Sequence, residues 1–143
     1  MARVIAILLA ILLVLGSVPG AWADVVVVVG AQSGIERLSR DDVINIFLGR
    51  YRRLASGIAA VPVDQPAASG LRAEFYRKLT DKDLAEINAY WARLFFSGKT
   101  SPPLQASTAA EAQHLIAGIP GGIGYVDRSQ VDHRLRVVLD LAQ

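Results

Sequence analysis

The stretch Asp64-Gln65-Pro66-Ala67-Ala68-Ser69-Gly70 is the part of the chain best suited to recognising a ligand. It follows residues that read as a strand and opens residues that read as a helix. The first amides of a helix lack intrahelical acceptors, and the aligned peptide dipoles leave partial positive charge there. Such a turn attracts oxyanions. Ala67, Ala68, Ser69 and Gly70 are small enough to let a ligand approach the backbone. Ser69 offers a hydroxyl and Gln65 an amide. Arg72 falls in the first helical turn, where a cation opposes the dipole. That placement requires an anion or a carboxylate nearby. A plainer reading of the same residues makes Ser69 an N-cap, Gly70 a relief of crowding and Arg72 a solvated side chain.

The remaining polar residues assemble no catalytic or metal-binding set. The chain has no cysteine, which removes disulfides, thiolate metal sites and thiol nucleophiles. His114 and His133 lack metal-ligand spacing and an accompanying acidic cluster. Ala67 stands where G-x-S-x-G needs its first glycine, so Ser69 is not a nucleophile elbow. Asp41 and Asp42 read as helix-start charges. The glycines from Gly118 to Gly124 follow a helix, whereas a phosphate cradle precedes one, so they read as a turn. We therefore expect no enzyme activity, no cofactor and no metal. The net charge is +2, without the dense basic face of a nucleic-acid binder. Arg50-Tyr51-Arg52-Arg53 reads either as a solvated loop complementing a helix C-terminus or as a docking patch for an anionic surface.

The elements that position these residues are legible from periodicity. Val25 to Val29, five β-branched residues in a row, read as a central strand buried on both faces. Ser39 with Asp42 forms an acidic capping box for a helix whose stripe is Val43, Ile46 and Phe47, ending at Gly49. Ile58 to Val63 reads as a second strand, with Pro62 pointing to an edge or a strand end. A helix from Ser69 carries Leu71, Phe75 and Leu79. Another, over Asp81 to Phe96, carries Leu84, Ile87, Trp91, Leu94 and Phe95 toward the core. Ser97 to Gln105 reads as a rigid loop. Thr108 and Glu111 cap a helix with Ala112, Leu115, Ile116 and Ile119. Ile123 to Val126 and Leu135 to Leu139 complete the strands. The order β-α-β-α-α-α-β-β predicts a layered α/β domain.

The N-terminus predicts export. Arg3 precedes twelve apolar residues, Val4 to Leu15, followed by Gly16, Pro19 and the small-x-small site Ala21-Trp22-Ala23. As a helix, twelve residues span about 18 Å against about 30 Å of hydrocarbon, too little for a membrane anchor. We expect a signal peptide over residues 1–23 and one domain over 24–143, with 14 basic and 13 acidic side chains and no stable membrane insertion after cleavage. A periplasmic location follows.

Four segments, in order, resemble phosphate ABC transporter substrate-binding proteins. Leu38-Ser39-Arg40-Asp41-Asp42-Val43-Ile44-Asn45-Ile46-Phe47-Leu48-Gly49 resembles their "L-S-x-x-x-v-x-x-I-F-x-G" segment. Ala68-Ser69-Gly70-Leu71-Arg72-Ala73-Glu74-Phe75 resembles their "G-S-G-T-R-x-x-F" phosphate-binding turn. Trp91 with Phe95 and Gly98, and then Ile123-Gly124-Tyr125-Val126, resemble later elements of the family. The resemblance implies a single lobe of the type 2 periplasmic-binding fold, a mixed sheet flanked by helices. It implies phosphate or oxyanion contacts at Ser69, Gly70, Leu71, Arg72 and Gln65. Ser69 and Gly70 match by position, Leu71 stands where the family has threonine, and Gln65 stands where it has arginine. Leu54 replaces a tryptophan.

Two functions follow. The first is a periplasmic solute-binding-like protein for a small oxyanion, linked to phosphate ABC transport and completed by an ABC permease, another periplasmic protein or a second copy. The second is a ligand-free accessory module that kept the fold and lost the anion site, motivated by Gln65, Leu71 and the absence of a second lobe.

Overall fold

The computed structural model describes residues 23–98 and 100–142. The expected leader therefore lies, apart from Ala23, outside the described residues. The strands are β1 (Val25–Gly30), β2 (Val61–Asp64), β3 (Leu104–Gln105), β4 (Gly122–Asp127) and β5 (Leu135–Asp140). The helices are α1 (Arg40–Phe47), α2 (Gly70–Thr80), α3 (Leu84–Phe95) and α4 (Ala109–Gly118), with a single 3₁₀ turn at Arg128–Gln130.

The strands form one mixed sheet in the order β3-β2-β4-β1-β5. β1 runs antiparallel to both β4 and β5, whereas β2 runs parallel to β3 and β4. The five valines of β1 are fully buried, as a run apolar on both faces requires. Side chains alternate across the sheet. Val25, Val27 and Val29 pack with residues of α1, α2 and α3, among them Phe47, Phe75 and Ile87. Val26 and Val28 pack with Ala112 and Ile116 of α4 on the opposite face. Three layers result, with the sheet in the middle. The expected mixed sheet flanked by helices is the observed architecture.

Local signals hold at the helix starts. Ser39 and Asp42 form both arms of the capping box at α1, at 3.0 and 3.2 Å. Thr108 accepts from the Glu111 amide at 3.0 Å. The glycines within β4 let α4 approach closely. A Cβ on Gly122 would lie 2.7 Å from the Ile116 carbonyl oxygen and 2.9 Å from that of Ile119.

Several expectations shift. The second strand is Val61–Asp64 rather than Ile58 to Val63, because Arg53 and Ala59 bridge in a tight antiparallel turn that leaves Ile58 exposed. β2 is also not an edge strand, since β3 extends the sheet beyond it. Pro62 is tolerated because Val61 donates to the Gly121 carbonyl on the β4 side, which points the next nitrogen to the other flank. On that flank, pairing with β3 begins only at Val63. β3 lies where the sequence reads as a loop. Finally, Asp81 takes a left-handed conformation and closes α2, so the next helix starts later, capped by Asp83. Its stripe is only partly core: Ile87 is fully buried, Trp91 is half-buried, and Phe95 is 74% exposed.

Candidate oxyanion turn

The turn lies at the carboxyl end of β2, between parallel neighbours β3 and β4. Open α/β sheets expose free amides and helix starts at such strand ends. Asp64 ends β2 and is buried. It collects four donors. Arg72 Nε stands 3.1 Å from Oδ2, and the Tyr76 hydroxyl donates to the same oxygen at 2.9 Å. The Tyr125 hydroxyl donates to Oδ1, and the Gln65 amide donates to that oxygen at 3.0 Å. A buried carboxylate is tolerated when it is paired and fully hydrogen-bonded, and Asp64 meets both conditions.

The tyrosines are held as donors. Burial is the largest cause raising the pKa of both phenols, and the neighbouring Asp64 charge adds to it. Tyr125 stacks on Phe75, with centroids 3.7 Å apart and planes 6° from parallel. The Arg72 guanidinium also lies 5.4 Å from the Tyr76 ring centroid, within cation–π range. The cluster ties α2 to β2 and β4.

Gln65 is 1% exposed. Its Nε2 donates to the Tyr125 carbonyl at 2.9 Å, which fixes the amide's orientation. Its Oε1 is buried and finds no hydrogen-bond partner among the described residues. The Gln65 carbonyl accepts from Gln105 Nε2 of β3 at 3.4 Å.

Ser69 occupies the N-cap position of α2, but its side chain makes no capping bond. Its carbonyl accepts from the amides of Arg72 at 3.1 Å and Ala73 at 3.4 Å. The amides of Gly70 and Leu71, first in the helix, have no intrahelical acceptor. Gly70 is exposed, and a Cβ there would meet nothing within 4 Å. Ser69 and Leu71 are half-buried.

Of the five residues singled out in the sequence, Ser69, Gly70 and Leu71 thus form an open helix start. Arg72 and Gln65 lie beneath it in the Asp64 cluster. Arg72 is not solvated: the carboxylate that its position demands is Asp64. Sequence reasoning missed the roles of Asp64, Tyr76 and Tyr125. An acidic residue ending a buried strand, eight positions before an arginine in a first helical turn, was the available signal.

No protein-family model matches the chain, and no curated protein matches it. Solved structures do. An ABC-type phosphate transport receptor from Vibrio cholerae aligns with a TM-score of 0.64 at 16% identity, over 81% of this chain and 45% of that one. A Clostridium perfringens protein assigned as a phosphate ABC transporter substrate-binding protein, solved with phosphate bound, aligns with a TM-score of 0.65 at 16% identity, over 81% and 44%. PstS from Borrelia burgdorferi aligns with a TM-score of 0.54 at 10% identity, over 81% and 46%. The chain spans less than half the length of each. At these identities the likeness shows the fold, which is one found within phosphate receptors of ABC transport systems.

Proposed function

We propose that this protein is a periplasmic solute-binding-like protein that receives phosphate or a related oxyanion at the start of α2. The observation that carries the reading is the uncommitted donor set there: the Ser69 hydroxyl free of its capping bond, beside the leading amides of Gly70 and Leu71. Helix-start amides and the dipole favour negative oxygen atoms. A fold found in phosphate receptors adds support. The reading is one of binding rather than catalysis, since these neighbours are transport receptors.

Arg72 supports the turn rather than contacting the anion in this account. Its charge is balanced by Asp64 at 3.1 Å. The anion therefore meets neutral donors on one side and water on the other, which makes for weak binding until a second body covers the turn. An ABC permease, another periplasmic protein or a second copy would complete it. Isothermal titration with phosphate, sulfate and small carboxylates tests the site. Heat and a melting shift at millimolar phosphate are expected. Absence of both at that concentration removes the reading.

One observation favours the alternative, an accessory module without a ligand. The only cation in the turn's first helical residues is already paired with Asp64. On that account, a periplasmic partner binds equally with and without phosphate.

A further inference from the structure

Away from this turn, the end of α3 carries a patch that the oxyanion reading does not use. Phe95 and Phe96 are 74% and 88% exposed and touch each other edge to face, 5.8 Å between centroids. Phe95 shares a groove of about 710 Å³ with Tyr51, Leu104 and Arg52. Tyr51 and Leu104 are themselves exposed. Contiguous exposed apolar surface marks an interaction site, unlike scattered single residues. Among the described residues, the groove's lining includes no acidic side chain.

Arg52 lines the groove, and Arg50 and Arg53 flank it in sequence. Arg50, Arg52, Arg53 and Arg93 are exposed, and none is ion-paired among the described residues. Arg53 donates to the Gly57 carbonyl at 2.8 Å, and Arg50 reaches Asn45 at 3.4 Å. Neither contact neutralises charge. Arg50 and Arg93 line an adjacent groove whose Lys82 and Glu86 pair with each other at 3.6 Å.

We propose that this aromatic and arginine-rich face adsorbs peripherally to an anionic phospholipid surface. The arginines would sit at headgroup phosphates, with Phe95, Phe96 and Tyr51 at the acyl boundary. Aromatic and apolar side chains bordered by arginine are the chemistry of interfacial binding. Phe96 decides against a partner helix seated in the groove. It is not among the residues lining that groove, so such a helix would leave it in water, whereas a lipid surface takes both rings. Charge decides against a second copy, because a self-facing patch would set these arginines against one another. Extension of the sheet beyond β3 is disfavoured, since β3 has only two residues and Pro102 and Pro103 just before it bear no amide hydrogen.

The test is sedimentation of the exported, processed chain with vesicles of phosphatidylglycerol and phosphatidylcholine in equal parts. Binding is expected at about 0.05 M salt, with loss at about 0.5 M, where the Debye length is roughly threefold shorter. Phosphatidylcholine alone should not bind. Arg50→Gln with Arg52→Gln should weaken binding roughly tenfold or more, since each basic residue near such a surface contributes about fivefold. Phe95→Ser with Phe96→Ser should weaken it at least as much. Both pairs lie on the surface, so an unchanged melting temperature separates lost adsorption from lost folding. No vesicle binding, equal binding to neutral vesicles, or unchanged binding by either variant overturns the proposal. So does a dimer dissociated by the phenylalanine variant, or a photo-crosslinker at position 95 that captures protein instead of lipid. The phosphate titration is unaffected by any of these results, so the two readings fail separately.

Discussion

Arg72 Nε lies 3.1 Å from Asp64 Oδ2, and both side chains are buried beneath an open helix start. The pair joins the end of β2 to the first turn of α2. It sets the position of the turn and also consumes the charge that an anion would otherwise meet.

Breaking this pair from one side should cost far more than removing both partners. Arg72→Met leaves Asp64 with three donors and no countercharge, and about 3–5 kcal/mol of stability should be lost. Asp64→Asn should cost a similar amount by stranding the guanidinium. The double variant should fall well short of the sum. Urea denaturation of the four proteins in a cycle measures the coupling, and additive losses would contradict it.

Two serines in the same formal position should behave differently. Ser39→Ala breaks a complete capping box and should destabilise by about 1 kcal/mol. Ser69→Ala removes no capping bond and should leave stability nearly unchanged. If the Ser69 hydroxyl holds the oxyanion, the same substitution should weaken phosphate binding by about 1–3 kcal/mol. Thermal melts and titration on each variant read the two effects separately.

Alkaline pH should expose the buried phenols. Tyr76 and Tyr125 both have pKa values raised in the folded state. Their contribution is fully present below the ordinary tyrosine value, about 10, and is lost as pH climbs from there toward the folded values. Above that point the unfolded chain binds fewer protons than the folded one, so stability should fall by about 1.4 kcal/mol per pH unit for each tyrosine. Tyr125→Phe is less stable at neutral pH, since Asp64 loses a donor, but its alkaline decline should be shallower by about one such slope. Denaturation midpoints between pH 9 and about pH 11 compare the slopes. Equal slopes would place Tyr125 in solvent.

The approach of α4 to β4 should tolerate no side chain at Gly122. An alanine Cβ would meet two carbonyl oxygens, at 2.7 and 2.9 Å, and neither belongs to a movable side chain. Gly122→Ala should cost about 1–3 kcal/mol. Gly70→Ala, whose Cβ would meet open space, is the control for lost glycine flexibility. Calorimetry on the pair distinguishes close packing from chain entropy.

Much of the architecture could be read along the chain because short-range rules govern it. Five β-branched valines have no better place than a strand covered on both faces, and Ser39 with Asp42 carries its helix start within four residues. The Ser69 turn was equally visible, since free amides at a helix start depend on local geometry alone. Long-range pairing was not visible. β3 has only two residues, and its existence depends on the edge that Val63 and Asp64 present to it. The partner of Arg72 depends on β2 delivering Asp64 to the base of α2. A period of 3.6 says which residues share a helix face, but not where that helix outruns the sheet it covers. Phe95 continues the apolar stripe of α3 and still faces solvent, because the core beneath that stripe has ended.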